Sequence, residues 1–161
     1  MIQKMIDEIN IALNNGLYLV ALTSALTLPD VCGKAEYPGS GNGERYRNWY
    51  SKYVKDSNIP AEQVYALRNS LLHAGKTKPD QKNDISFVLL TNQYTNPLGI
   101  DFCFNIGITH TDGSTEQRIK VYVGFLCTAI CKAAKEYYYK NKDKFSFLNY
   151  EIYDIATTFV K

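Results

Sequence analysis

The sequence predicts a mainly α-helical protein with a small β-rich insertion before a long last helix. In the first half of the chain, apolar side chains recur every three or four residues, whereas residues 85–123 contain runs of β-branched and aromatic residues. The length of 161 residues, with 45% hydrophobic and 21% charged side chains, fits one globular unit. We therefore expect residues 1–161 to form a single domain.

The first helix is predicted over residues 2–13. Ile2 and Ile6 belong to an apolar stripe along one face, and Gly16 follows at a position where a helix commonly ends. The acidic Asp7 is unlike the positively charged start of an export signal. We therefore expect a cytoplasmic protein.

A second helix is expected over residues 17–37. Pro29 should bend or restart it, because proline lacks an amide hydrogen and crowds the preceding turn. Residues 16–28 are apolar on every side of the helix, which is typical of a buried central helix. The run is shorter than the ~20 residues that cross a bilayer. No membrane partner is therefore expected.

A third helix is predicted over residues 44–55, after a glycine-rich loop at residues 38–43. It interleaves aromatic and basic side chains, namely Tyr46, Trp49, Tyr50 and Tyr53 with Arg45, Arg47, Lys52 and Lys55. One interpretation is an RNA-binding surface of cations and rings, and the other is an ordinary amphipathic helix with solvated charges. The formal net charge of +2 favours neither interpretation.

The β-rich insertion contains predicted strands at residues 85–90 and 100–109. Residues 118–123 fit either a third strand or the start of the final helix, which runs to about residue 140. The insertion is therefore a β-hairpin or a three-stranded sheet. Residues 145–161 are expected to pack a short helix against the body of the protein.

The four cysteines have no short paired spacing of the kind found in disulfide-rich proteins, so we expect free thiols. Cys127 and Cys131 lie one helical turn apart, so one interpretation is that they bind a metal together with Cys103 or His110. Two cysteines at helical spacing are more typical of buried packing residues. No metal and no cofactor are therefore predicted.

A fourth helix should open at Pro60 and end near residue 74, because proline suits a first helical turn. Helical spacing places three polar side chains, Arg68, Asn69 and His73, on one flank beside an apolar stripe. An arginine at such an edge is costly unless it is paired or meets an anion.

Arg68 and His73 have the chemistry that phosphodiester cleavage requires without a metal. The planar guanidinium matches phosphate oxygens, and a histidine can gain or lose a proton near neutral pH. The alternative is structural: Arg68 pairs with a carboxylate such as Asp30, and His73 closes the helix at its C-terminal carbonyls. Spacing alone leaves both interpretations open.

Residues 65–73, Tyr-Ala-Leu-Arg-Asn-Ser-Leu-Leu-His, resemble the Arg-Asn-x-x-x-His signature of the HEPN superfamily. The Leu-Pro-Asp-Val-Cys-Gly tract at residues 28–33 and the order of the elements resemble its small stand-alone members from bacteria, plasmids and phages, over about residues 5–140. The resemblance implies an antiparallel bundle of four to five helices.

The resemblance also implies a metal-independent endoribonuclease that leaves a 2′,3′-cyclic phosphate and a 5′-hydroxyl. Arg68 and His73 would carry catalysis, Asn69 would orient them, and two subunits would join their signatures across the dyad of a homodimer. Family members act as toxins or in antiviral defence, and some are inactive relatives that bind RNA or a nucleotide. The alternatives are therefore an inactive RNA- or nucleotide-binding domain and a purely structural dimerisation module.

An antitoxin protein is a possible partner of such a toxin. In one group of HEPN toxins, a tyrosine two residues after the signature histidine is modified by a partner nucleotidyltransferase. This chain has Gly75 at that position. We therefore do not expect that form of neutralisation.

Overall fold

A computed structural model describes residues 1–74, 85–91, 105–109, 111 and 115–148. Within these residues the protein is mainly α-helical with one small sheet, as predicted. The helices are α1 (Ile2–Asn14), α2 (Tyr18–Ala25), α3 (Leu28–Glu36), α4 (Asn42–Tyr53), α5 (Ala61–Ala74) and α6 (Val123–Lys140), followed by a 3-10 turn at Lys142–Phe145. The strands are β1 (Ile85–Leu90), β2 (Asn105–Thr109) and β3 (Thr115–Tyr122).

The predicted second helix is two helices, α2 and α3, separated by Leu26 and Thr27. Pro29 lies in the first turn of α3, where its missing amide hydrogen costs no helical hydrogen bond. The predicted restart at Pro29 is therefore confirmed. No helix in the described ranges combines the length and apolar character needed to cross a membrane.

The prediction that residues 16–28 form a buried central helix is wrong for α2. Leu19 and Val20 are 58% and 56% exposed, and the preceding Leu17 is 54% exposed. Only the opposite face, which includes Ala21 and Leu22, is buried. Helical periodicity could not reveal the inward face, because a helix that is apolar on every side gives no contrast between faces.

The central helix is α6, which packs against α1, α2, α3 and α4. Its buried face carries small and medium apolar side chains such as Ala134 and Ile130, so neighbouring helices can approach closely. The largest buried side chains come from α4, namely Tyr46, Trp49 and Tyr50. The aromatic residues of the predicted third helix therefore build much of the core.

Helices α3 and α4 approach closely at Gly33. A Cβ atom on Gly33 would lie 2.7 Å from the carbonyl oxygen of Arg45, a distance that real Cβ contacts do not reach. Glycine is therefore required here for close backbone approach. This contact fixes α3, and with it Asp30, against α4.

Glu36, the last residue of α3, joins four elements. One carboxylate oxygen accepts hydrogen bonds from Lys52 and Tyr53 of α4 at 2.8 Å each. The other accepts from Tyr137 of α6 at 2.9 Å and from Lys144 of the 3-10 turn at 2.7 Å. Partial burial opposes ionisation, but these four donors outweigh it and lower the pKa of Glu36 to about 2.

The sheet has the strand order β1-β3-β2. β3 runs parallel to β1, with Ile119 opposite Phe87, and antiparallel to β2. The three-stranded alternative is therefore the observed one, and residues 118–122 belong to β3 rather than to the final helix. Residues 100–104 of the predicted second strand and residues 149–161 of the predicted tail lie outside the described residues.

Candidate active site

Helix α5 carries the signature residues and is anchored by its apolar face. It begins directly after Pro60, as predicted, and Val64 and Leu67 are fully buried. Leu71 is also buried, one turn after Leu67. Because these side chains fix the rotation of α5, Arg68 and Asn69 are held half-buried at the edge of the apolar stripe.

Arg68 pairs with Asp30 of α3. Its Nε donates a hydrogen bond to Asp30 Oδ2 at 3.0 Å, and its Nη2 lies 2.8 Å from the same oxygen. Asp30 is in the first turn of α3, where the positive end of the helix dipole favours a carboxylate. The pairing that spacing offered as the structural alternative is therefore present.

Asn69 is the second partner of the guanidinium. Arg68 Nη1 donates a hydrogen bond to Asn69 Oδ1 at 2.9 Å. Two edges of the guanidinium are thus held by two different side chains, which fixes its plane. The side chains of Arg68 and Asp30 remain 20% and 19% exposed, so solvent or a ligand can reach the pair.

His73 lies in the last turn of α5, four residues after Asn69. Residues four apart lie on the same side of an α-helix, one turn from each other. The backbone therefore puts His73 on the flank that carries Asn69. Its side chain is outside the described part of the structure. The described side chains that come together are Arg68, Asn69 and Asp30.

Tyr46 of α4 is close enough to Asp30 and Arg68 for both charges to act on its phenol. Its hydroxyl group is fully buried and has no hydrogen-bond partner within the described part of the chain. Burial raises the pKa of Tyr46 well above its ordinary value, and the neighbouring charge of Asp30 adds to that effect. The phenol is therefore protonated at neutral pH. Of the two interpretations of this helix, the burial of Tyr46 favours an amphipathic helix over an RNA-binding surface at this position.

The basic and aromatic side chains of α4 divide into two groups. Tyr46, Trp49 and Tyr50 are in the core, and Lys52 is paired with Glu36 at 2.8 Å. Arg47 instead lies over the ring of Tyr65 on α5, with its Cζ 5.2 Å from the ring centroid. Only part of the predicted RNA-facing surface is therefore available at the surface.

Cys32, Cys127 and Cys131 are free and buried. Burial raises the pKa of the Cys131 thiol to about 12 and those of the other two further. No group of three or more metal-binding side chains occurs in the ranges that the structure describes. Cys103 and His110 lie outside those ranges. The three described thiols are thus protonated packing residues at neutral pH.

No protein-family model, curated protein or solved structure matches the chain at a significant level. Its function must therefore be argued from its own residues.

Proposed function

We propose that the protein is a metal-independent endoribonuclease of the HEPN type. The observation that carries the proposal is the arginine at the edge of α5: Arg68 is oriented by Asn69 at 2.9 Å and by Asp30 at 2.8 Å, yet remains partly exposed. His73 follows on the same helix within two turns. A fixed guanidinium near an exposed edge suits an anion that must be held in one orientation.

In the proposed reaction, His73 moves a proton and Arg68 stabilises charge. The 2′-oxygen of a ribose loses its proton and attacks the adjacent phosphorus, and the bond from phosphorus to the 5′-oxygen breaks. The leaving oxygen takes a proton, so the products are a 2′,3′-cyclic phosphate and a 5′-hydroxyl. Arg68 donates to the phosphorane oxygens as negative charge develops there. Asn69 keeps the guanidinium in plane.

We further propose that the fold is a HEPN-like bundle that works as a homodimer. Leu72 lies four residues after Arg68 and three after Asn69, so it shares their flank of α5, and it is 37% exposed. An exposed leucine beside the candidate site gives a second subunit an apolar contact. Two copies packed there would bring both signatures to one cleft.

A second candidate function is RNA or nucleotide binding without cleavage. The observation that favours it is the ion pair itself, because Asp30 offsets part of the charge that Arg68 would offer to a phosphorane. In a purely structural alternative, the same flank would only join two subunits. Both alternatives predict that wild-type protein leaves RNA intact.

Incubation of the purified protein with a broad pool of single-stranded RNA in excess chelator separates these functions. The proposal predicts cleavage at an unchanged rate in chelator, with product 5′ ends that a polynucleotide kinase can label directly. Intact RNA under all conditions would leave binding or structural roles. Cleavage that stops on chelation would overturn the metal-independent mechanism.

A role as a toxin or in antiviral defence, in the cytoplasm and with an antitoxin partner, belongs to the same proposal. It predicts that expression of the wild-type protein arrests bacterial growth, whereas expression of the Arg68→Ala variant does not. Equal growth in both cultures, at equal protein levels, would contradict the toxin role but would leave the proposed endoribonuclease activity unaffected.

A further inference from the structure

The surface next to the candidate active site contains a basic residue, Arg47, that no carboxylate neutralises within the described part of the chain. Arg47 of α4 is half-buried, and in the described residues it makes no ion pair with an acidic side chain. Lys52 on the same helix is paired with Glu36. The charge of Arg47 is therefore available to an external anion.

The plane of Arg47 is held by Tyr65. The guanidinium carbon lies 5.2 Å from the centroid of the Tyr65 ring, within the range of a cation–π interaction. The Tyr65 ring in turn packs on the buried ring of Tyr46 at 5.1 Å between centroids. An arginine supported in this way is ordered before a ligand arrives, which lowers the entropy lost on binding.

Gly43, at the start of α4, leaves room for this pair. A Cβ atom on Gly43 would lie 3.0 Å from both Arg47 Nη1 and the Tyr65 hydroxyl oxygen. Any side chain at position 43 would therefore displace the ends of these two groups. Gly43 has an ordinary helical backbone. Glycine is therefore favoured here by the lack of space for a side chain and not by backbone conformation.

The pair lies one helical turn from the signature residues. Tyr65 precedes Arg68 by three residues and Asn69 by four, so the three share one side of α5. One turn rises about 5.4 Å. Arg47, which lies over the Tyr65 ring, is therefore next to the side of α5 that carries Arg68.

We infer that Arg47, positioned by Tyr65, forms a subsite for a nucleotide of single-stranded RNA beside the scissile phosphate. The guanidinium plane gives a face on which a base can stack, and its charge attracts the backbone phosphate. The inference rests on the proposed endoribonuclease function and adds a residue that binds substrate without taking part in the chemistry.

Binding of a labelled, 2′-O-methylated single-stranded RNA pool tests the subsite, because this RNA lacks the attacking hydroxyl and cannot be cleaved. Arg47→Gln should weaken binding about tenfold and reduce the slope of log affinity against log salt by about 0.7, the value of one phosphate contact. Arg47→Lys should keep that slope but lose affinity. Lys4→Gln, which removes one exposed charge on α1, should change affinity less than twofold.

Tyr65 should act only through Arg47. Tyr65→Leu should weaken binding severalfold in the wild-type background but have no further effect in Arg47→Gln, while Tyr65→Phe should bind like the wild type. Gly43→Ala should also weaken binding without lowering the thermal midpoint of unfolding. Tyr139→Leu, at a tyrosine that is 51% exposed on α6, is the matched control and should bind normally.

The outcomes separate this inference from the proposed function. Wild-type binding with loss in Arg47→Gln, but no cleavage of natural RNA, would keep the subsite and overturn the nuclease. Cleavage by wild type with equal binding by Arg47→Gln and Lys4→Gln would overturn the subsite alone. Absence of wild-type binding to the pool would overturn the subsite, and absence of cleavage of natural RNA as well would overturn both.

Discussion

Arg68 and Asp30 are 38 residues apart in the chain, yet two guanidinium nitrogens of Arg68 contact one carboxylate oxygen of Asp30, at 3.0 and 2.8 Å. The contact joins α5 to the first turn of α3. It serves both as a structural link and as the support of the proposed catalytic group.

The first prediction is that Arg68 and Asp30 are energetically coupled. Each side chain is about one-fifth exposed, so loss of either partner leaves a poorly solvated charge. Asp30→Asn and Arg68→Gln should each destabilise by about 1–3 kcal/mol in urea unfolding, and the double variant should lose less than their sum. Additivity within about 0.5 kcal/mol would mean that the pair contributes no net coupling.

The second prediction concerns Glu36 and pH. Its folded-state pKa of about 2 lies below the ordinary 4.5, so its stabilising effect is present above pH 4.5 and is lost as the pH falls towards 2. Glu36→Gln should lower the free energy of unfolding by on the order of 2 kcal/mol near neutral pH, a value that allows for the partial exposure of Lys52 and Lys144.

Urea unfolding of wild type and Glu36→Gln between pH 7 and pH 3 measures this effect. The difference between them should shrink as the pH falls below 4.5. Asp56→Asn is the control, since Asp56 pairs with Lys132 at 2.7 Å but both are more than half exposed. Asp56→Asn should lower the free energy of unfolding by less than about 1 kcal/mol. A constant difference for Glu36→Gln would contradict the low pKa.

The third prediction tests the close approach of α3 and α4. Gly33→Ala should destabilise by about 2–3 kcal/mol, because the new methyl group meets the backbone oxygen of Arg45 and not a movable side chain. Gly124→Ala on α6 is matched, since nothing lies within 4 Å of its Cβ position. It should be neutral or stabilise by up to about 1 kcal/mol. Equal effects of the two changes in thermal unfolding would refute the tight contact.

The fourth prediction locates the dimer seam. Leu72→Glu should convert a dimer to a monomer in light scattering, because the charge would be buried against the second subunit. Val20→Glu is the comparison, since Val20 belongs to another exposed apolar surface, on α2, and is 56% exposed. If Val20→Glu dissociates the dimer and Leu72→Glu does not, two copies meet away from the signature. A monomeric wild type would remove the composite site.

The sequence was informative where it carries a clear local pattern, namely a run of β-forming residues for β1 and an apolar stripe of helical period for α5. Strand β1 was predicted at its observed limits, and α5 was predicted from Pro60 to residue 74 with its buried Leu67. The orientation of α2 was not predictable, because its side chains are apolar on all sides. The start of α4 was missed by two residues, since Asn42 and Gly43 are weak helix formers.

Part of the candidate site also followed from the sequence. Helical spacing placed Arg68 beside Asn69, and Asp30 was named as one possible partner. The pairing of Arg47 with Tyr65 was not predictable, because it depends on how α4 packs against α5. The four hydrogen-bond donors to Glu36 come from residues up to 108 positions away in the sequence. No local sequence pattern predicts contacts between residues so far apart.

The rate of RNA cleavage by Arg68→Ala, His73→Ala and the double variant, measured in excess chelator with the protein shown to be folded, tests the central claim most directly. If the two residues act as one unit, each single variant should lose nearly all activity, and the double variant should be no slower than the singles. The wild-type rate should vary with pH through the neutral range, where a histidine titrates. Cleavage at the wild-type rate by His73→Ala, or no cleavage by wild type of any RNA in the pool, would contradict the account.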